Sequence, residues 1–241
     1  MAGVILEVCV DSAESLQAAV AGGADRIELC SALALGGLTP SAGFLRQAVG
    51  CGVPVLVMIR PRAGDFIWSG AEIAVMQADI AAVRAAGLAG VVLGASLPEG
   101  RLDVAALGLL VTAAKGMSLT LHRCFDLVPD PFVALEQAVD LGFHRILTSG
   151  GAAPAVAGID RLVALQGRAA GRIVILPGGG ITADTVAGLA PLAPTELHGS
   201  CAVARPMDAA VAAFGFGPAV ARVTDAALVR ALRLAAARAD R

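Results

Sequence analysis

The segment Val4-Ile5-Leu6-Glu7-Val8-Cys9-Val10-Asp11-Ser12 begins the pattern that decides the fold. Its apolar residues predict a short buried strand, and Asp11-Ser12 is a typical N-cap for a helix predicted over residues 13–21. Gly22-Gly23 ends that helix, and a second strand is predicted over residues 25–30. A strand, a helix and another strand in this order form one unit of an α/β barrel.

The same alternation continues along the chain, with strand starts spaced by roughly 27 residues, as in (β/α)8 proteins. We therefore predict an α/β protein that folds as one TIM (β/α)8 barrel over residues 1–241. A seventh helix is expected over residues 183–189 and a terminal helix over residues 225–237. Between them, residues 201–224 form a connection long enough to indicate a lid, a partner contact or disorder. Six further strands are predicted, over residues 53–59, 90–93, 118–122, 145–148, 172–176 and 196–198.

Composition excludes several classes of partner. A net charge of −2 and 3% aromatic residues provide neither a basic face nor a stacking platform for nucleic acid. No apolar run approaches the roughly 20 residues of a membrane span, and no signal peptide is apparent. Five cysteines, an odd number, indicate reduced thiols, so we expect a cytoplasmic protein.

Charged and metal-capable side chains occupy positions where a barrel would otherwise carry aliphatic residues. In a TIM barrel the carboxyl ends of the strands form the site, so these side chains are expected to meet at one opening. Glu7, Glu28 and Glu196 are expected one layer deeper on the same inward face. The alternative is a set of internal ion pairs that fill the barrel. The set comprises Glu7, Cys9, Glu28, Cys30, Arg60, His122 and His198.

Cys9 and Cys30 are the sharpest candidates for a metal site. They end adjacent predicted strands, and thiolates select Cu(I), while imidazoles such as those of His122 and His198 suit copper and zinc. A divalent metal held by the glutamates and histidines is also considered. The alternative is that both cysteines are small core residues.

Two segments favour an anionic ligand. Arg60 and Arg62 flank Pro61 and could clamp an anion, with Asp65 as their orienter or as a base; the alternative is a self-paired surface loop. The glycines after strand seven could bring backbone N–H groups to a phosphate, or could form only a tight turn. The further predicted anion-binding residues are Ser149, Gly150, Gly178, Gly179, Gly180 and Ser200.

An enzyme is therefore the competing functional class. His122 would be its acid or base, oriented by Asp126, with Glu7, Glu28 or Glu196 as the counterpart. The single lysine, Lys115, precedes strand five at the opposite end of the barrel, which argues against Schiff-base chemistry and pyridoxal phosphate. No nucleotide cofactor is evident. The remaining reaction types are a lyase, an isomerase or a hydrolase acting on a small anionic or phosphorylated metabolite.

The order of several motifs resembles the CutC family of copper homeostasis proteins. The resemblance implies a cytoplasmic TIM barrel, a homodimer or higher homo-oligomer, and Cu(I) handling through the cysteines at positions 9 and 30. It covers roughly residues 4–200, and the match is lost after Cys201. The motifs are residues 7–12, 22–30, 36–40, 59–62, 121–126, 147–150, 177–181 and 196–198.

Overall fold

A computed structural model describes residues 3–239 and contains the predicted barrel. Eight parallel strands form one sheet in the order seven, six, five, four, three, two, one, eight. A bridge between Gly178 and His198 brings the two edge strands together, so the barrel is nearly closed. The strands are β1 (Ile5–Val10), β2 (Arg26–Leu29), β3 (Val55–Met58), β4 (Gly90–Leu93), β5 (Ser118–Leu121), β6 (Arg145–Thr148), β7 (Val174–Pro177) and β8 (Glu196–Gly199).

The helices between the strands begin where short polar side chains can cap them. Ser12 accepts a hydrogen bond from the N–H of Ser15, and Ser69 forms a reciprocal capping box with Glu72. None of the helices in the described part of the chain is long and apolar enough to cross a membrane. They are α1 (Ala13–Gly22), α2 (Ala42–Ala48), α3 (Gly70–Ala85), α4 (Val104–Ala113), α5 (Pro131–Asp140) and α6 (Ile159–Ala169).

The last quarter of the chain differs from the prediction. In place of a helix over residues 183–189, a 3₁₀ segment runs over Val186–Leu192, and Pro191 within it removes a backbone donor. Residues 201–224 contain an antiparallel hairpin of β9 (Ala202–Pro206) and β10 (Val220–Thr224) around α7 (Ala209–Ala213). The terminal helix, α8, is confirmed at Ala226–Ala239.

The barrel interior is divided between apolar and charged side chains. Alternate residues of each strand point outward and pack against the helices in the main core, which includes Leu6, Ile27 and Val57. Inside the barrel a small apolar cluster lies on β2 to β4 and comprises Cys30, Leu56, Met58 and Val92. Interior positions of β1, β2, β6 and β8 carry charged residues instead, and these require internal partners.

A buried ion network joins these charged residues at the amino ends of the strands. Arg26 donates from Nε to Glu7 at 2.5 Å and from Nη2 to Glu196. Arg145 donates to the same Glu196 carboxylate at 3.0 Å and to the Ser118 hydroxyl at 2.7 Å. Glu196, predicted as a catalytic carboxylate, is thus held between two arginines below the opening. The sequence alternative paired Glu196 with a histidine, whereas the structure pairs it with Arg26 and Arg145.

Removing Arg26 from the network should destabilise the fold strongly. Arg26→Met would leave Glu7 and Glu196 without their shared cation, and breaking a buried pair in this way costs about 3–5 kcal/mol. Arg101→Met, which breaks an exposed pair with Glu99, should leave the free energy of unfolding nearly unchanged, because solvent screens that pair. Urea unfolding of both variants measures the difference. Equal losses would contradict the role given to Arg26.

Candidate metal centre and adjoining cavity

Three side chains from adjacent strands place metal-capable atoms close together. Cys9 on β1, Glu28 on β2 and His198 on β8 each offer one ligand atom, and these atoms lie within 4.8 Å of one another. All three residues are buried. The strand register explains the grouping, because Cys9 lies opposite Glu28 and Glu7 lies opposite His198. We call Cys9, Glu28 and His198 the metal triad.

Glu7 orients the histidine of the triad. His198 Nδ1 lies 2.8 Å from Glu7 Oε1, while Nε2 lies 3.8 Å from Glu28 Oε2. Burial alone would lower the pKa of His198, but the nearby Glu28 and Cys9 and the hydrogen bond with Glu7 outweigh it and raise this pKa well above its usual value. Burial would raise the pKa of Glu7, yet His198 and Arg26 lower it to about 2. Glu7 is therefore an ionised carboxylate that holds the Nδ1 edge of the His198 ring.

Cys30 lies outside the triad, contrary to the predicted pairing of Cys9 with Cys30. The register sets Cys9 opposite Glu28, so Cys30, which directly follows β2, lies two residues beyond the partner of Cys9. Its thiol donates to Glu28 Oε2 at 3.6 Å, and burial, followed by the charge of Glu28, raises its pKa well above the usual value. Parallel strand ends need not be level, and sequence spacing alone could not show this offset.

His122 is also outside the triad and lacks the predicted Asp126 orienter. Its Nδ1 accepts a hydrogen bond from the Cys124 N–H at 3.2 Å, so a neutral ring carries its proton on Nε2. That Nε2 atom is buried and has no partner among the described residues. Burial and then the charge of Arg60 lower the His122 pKa to about 3. A side chain at Gly94 would overlap the ring, so this glycine makes room for it.

Asp126 instead fixes the loop that follows β6. Its carboxylate accepts hydrogen bonds from the Thr148 hydroxyl at 2.5 Å and from the Ser149 N–H at 3.0 Å. It also accepts from Arg123 Nε at 2.7 Å, and Arg123 Nη2 donates to the Ser149 hydroxyl at 2.9 Å. Ser149 is therefore a loop anchor, and Arg123 is held beside it in a fixed position.

The two arginines after β3 do not form the predicted clamp. Arg60 donates to the carbonyl oxygens of residues 35, 37 and 64, and its guanidinium lies 4.9 Å from the Phe66 ring centre. It has no carboxylate partner among residues 3–239, and its Nε is buried without an acceptor. Arg62 pairs with Asp65 at 2.9 Å and with Glu72 at 2.5 Å. The alternative interpretation, a surface loop whose charged side chains pair with one another, is thus correct for Arg62 and Asp65.

A cavity of about 350 Å³ adjoins the triad over the ends of β7 and β8. Cys9 and His198 form its inner wall, so the triad faces the cavity. Of the predicted anion-binding residues, Gly179, Gly180 and Ser200 line it. The others support neighbouring segments: Gly178 donates to the Thr148 carbonyl, and Gly150 packs against the backbone of Gly158.

Comparison with known proteins agrees with this architecture. The sequence model of the CutC family matches residues 4–203. The chain belongs to the CutC family. A CutC family protein from Rhizobium meliloti is 59% identical over 235 residues, which cover 97% of this chain and 96% of that protein. The crystal structure of CutC from Streptococcus agalactiae, described in terms of copper homeostasis, superposes with a TM-score of 0.78 at 33% identity and covers 82% of this chain and 98% of that one.

More distant structures support the fold alone. The 3-hexulose-6-phosphate synthase of Salmonella typhimurium superposes with a TM-score of 0.63 at 16% identity, covering 98% of this chain and all of that chain. Both the predicted family and the predicted TIM barrel are therefore confirmed.

Several residues of the site were missed from the sequence. Arg26 and Arg145 begin β2 and β6, and their inward parity with Glu28 and Leu147 could have indicated them. Cys201 also lines the cavity, together with Cys9. Burial, then the charge of Cys9, raises its pKa to about 11. No local sequence pattern indicated that Arg123 lines the cavity, because its position depends on contacts with the distant Ser149.

The histidines should titrate very differently. Because the pKa of His122 is lowered to about 3, its ring should stay neutral, with the proton on Nε2, from pH 8 to pH 5. His198, whose pKa is raised, should be protonated at pH 7 and lose its proton only well above the usual range. Long-range ¹H–¹⁵N correlation spectra of the imidazoles can follow both. A His122 ring that becomes charged near pH 6.5 would contradict the arrangement.

Proposed function

We propose that this protein binds Cu(I) at the metal triad and serves copper homeostasis. The observation that carries the proposal is the contact between Glu7 and His198 Nδ1 at 2.8 Å. In protein metal sites a ligating histidine commonly donates its second N–H to a carboxylate, which fixes the ring for the metal. Here the other nitrogen, Nε2, faces Glu28 within a group that also includes the Cys9 sulfur.

The donor set suits the proposed ion. A cysteine thiolate favours Cu(I), and an imidazole is a good second ligand. Cys9 would ligate as a thiolate and His198 through a deprotonated Nε2, so binding should weaken as the pH falls. The raised pKa of His198 strengthens this dependence. Cys30 is placed to act through Glu28, to which its thiol donates.

The carboxylate of Glu28 also supports the second metal predicted from the sequence, a divalent ion. Oxygen and nitrogen ligands suit Zn²⁺ as well as copper. The preference for Cu(I) rests on the sulfur of Cys9 and on the family. Zn²⁺ therefore belongs in the same experiment as a competing ion.

Cu(I) affinity should depend on the triad and not on cysteines in general. Cys9→Ser should weaken Cu(I) binding by more than the roughly 10–100-fold that loss of an outer partner costs, because it removes the soft ligand itself. Cys30→Ser should have a smaller effect, since Cys30 lies outside the triad. Competition with a chromophoric Cu(I) chelator under anaerobic conditions gives the affinities of both variants.

The matched control is Cys51→Ser. Cys51 precedes β3 at the opposite end of the barrel, and its thiol donates only to the Val53 carbonyl. Its removal should leave Cu(I) affinity unchanged. Copper binding at the triad is wrong if Cys9→Ser binds Cu(I) as tightly as the unmodified protein, and a Zn²⁺ affinity exceeding that for Cu(I) would favour the divalent ion.

We also propose a cytoplasmic homo-oligomer, as the family resemblance implies. The hairpin supplies a candidate contact surface, because Phe214 and Phe216 are 77% and 82% exposed and stack with ring centres 6.2 Å apart. Exposed aromatic pairs of this kind are typical of interaction surfaces. Sedimentation of the protein should show an oligomer that Phe214→Ser with Phe216→Ser weakens. A monomeric protein would overturn the proposed oligomer. Cell fractionation tests the proposed location, and recovery of the protein outside the cytoplasmic fraction would overturn it.

A further inference from the structure

The cavity beside the triad has a wall of bare backbone. Gly179 and Gly180 have φ angles of +111° and +71°, which side chains other than glycine rarely adopt. A side chain at Gly180 would also come within 2.8 Å of Pro154. Both glycines line the cavity, so a ligand can approach the main chain directly.

Two successive N–H groups of this wall are available to a ligand. The Gly179 carbonyl accepts from the Ala155 N–H at 2.8 Å, and the Gly180 carbonyl accepts from the Thr185 hydroxyl at 3.1 Å. In a trans peptide the N–H points opposite to its carbonyl, so the N–H groups of Gly180 and Ile181 point away from those partners. Within residues 3–239 neither N–H donates to an acceptor. Successive free N–H groups form an anion-binding concavity.

Arginine donors complete the wall. Asp126 and Ser149 hold Arg123 through Nε and Nη2, while its Nη1 has no acceptor among the described residues. This Nη1 lies 3.5 Å from the position of a Cβ on Gly179, directly beside the bare backbone. Arg222, on β10, also lines the cavity. Among the described residues its guanidinium donates one hydrogen bond, from Nη2 to the Ala202 carbonyl.

The charge balance of the cavity favours an anion. Arg123, Arg222 and the protonated His198 contribute positive charge to the lining, and the exposed Asp184 contributes one negative charge. Asp126 pairs with Arg123 Nε and offsets one positive charge, so the balance stays positive. The half-buried Ser200 adds a hydroxyl. The volume of about 350 Å³ falls in the range of small-molecule pockets, roughly 300–1,000 Å³.

We propose that this cavity binds the phosphate group of a small molecule, with Arg123 Nη1 and the N–H groups of Gly180 and Ile181 as the principal donors. The rest of the ligand would extend toward Cys9 and His198. The proposal does not rest on copper binding. It names the ligand class for the enzyme predicted as the alternative function. It keeps the predicted glycine loop and replaces Arg60 and Arg62 with Arg123 as the arginine that recognises the anion.

Inorganic phosphate is the first probe, and ribose 5-phosphate compared with ribose is the second. Isothermal titration should show saturable phosphate binding that Arg123→Gln weakens about tenfold or more, since it removes a charge-assisted donor. Arg222→Gln should weaken binding by a smaller factor. Ribose 5-phosphate should bind more tightly than inorganic phosphate if a phosphorylated metabolite is the ligand, whereas equal affinities would assign the site to free phosphate.

Arg168→Gln is the matched control, because it removes the same charge from an arginine that pairs with Glu136 on the outer helices. It should bind phosphate normally. The proposal is overturned if the unmodified protein shows no saturable binding of either phosphate probe, or if Arg123→Gln and Arg222→Gln both bind like the control. Should Arg123→Gln fail to fold, the phosphate affinities of Arg222→Gln and Ser200→Ala decide, and affinities equal to that of the control would overturn the proposal. Glu28→Gln alters the metal triad at a residue that does not line the cavity, so it should keep the binding of inorganic phosphate, and the copper and phosphate proposals fail separately.

Discussion

Arg26 occupies the position on which the rest of the barrel interior depends. Its guanidinium is buried at the amino end of β2 and bonds to carboxylates from β1 and β8. An unpaired charge in such a place would cost several kcal/mol, so Glu7 and Glu196 must stay close to it. Arg145 extends the network to β6. Arg26 thus joins β2, β1 and β8, and Arg145 carries the network across the nearly closed edge between β7 and β8.

The same network prepares the metal triad. Because Arg26 and His198 keep Glu7 ionised, its second oxygen can hold His198 Nδ1 while Nε2 remains directed toward Glu28. Glu28 in turn receives the Cys30 thiol. The Glu7 carboxylate therefore joins its ion pair with Arg26, at the base of the barrel, to His198, a candidate metal ligand at the opening. The internal ion pairs and the proposed metal ligands thus belong to one network of hydrogen bonds.

The opening itself is divided among three groups of residues. β1, β2 and β8 supply the sulfur, carboxylate and imidazole atoms of the triad. The segments after β5, β7 and β8 supply the cavity with its donors. The loop after β3 is occupied with its own structure, since Arg60 binds carbonyl oxygens and Arg62 binds Asp65 and Glu72. Proximity to the opening alone is therefore a poor guide to a ligand role.

The sequence by itself determined the alternation of strands and helices, the caps at Ser12 and Ser69, and the family, because each depends on residues close together in the chain. It also indicated that Glu7, Cys9, Glu28 and His198 point inward, through the two-residue period of strands. Only the tertiary structure decided which of them meet. The offset between β1 and β2 pairs Cys9 with Glu28 and separates it from Cys30. Such offsets, like the contact of Arg123 with Ser149, depend on how distant segments pack, and no local pattern encodes them.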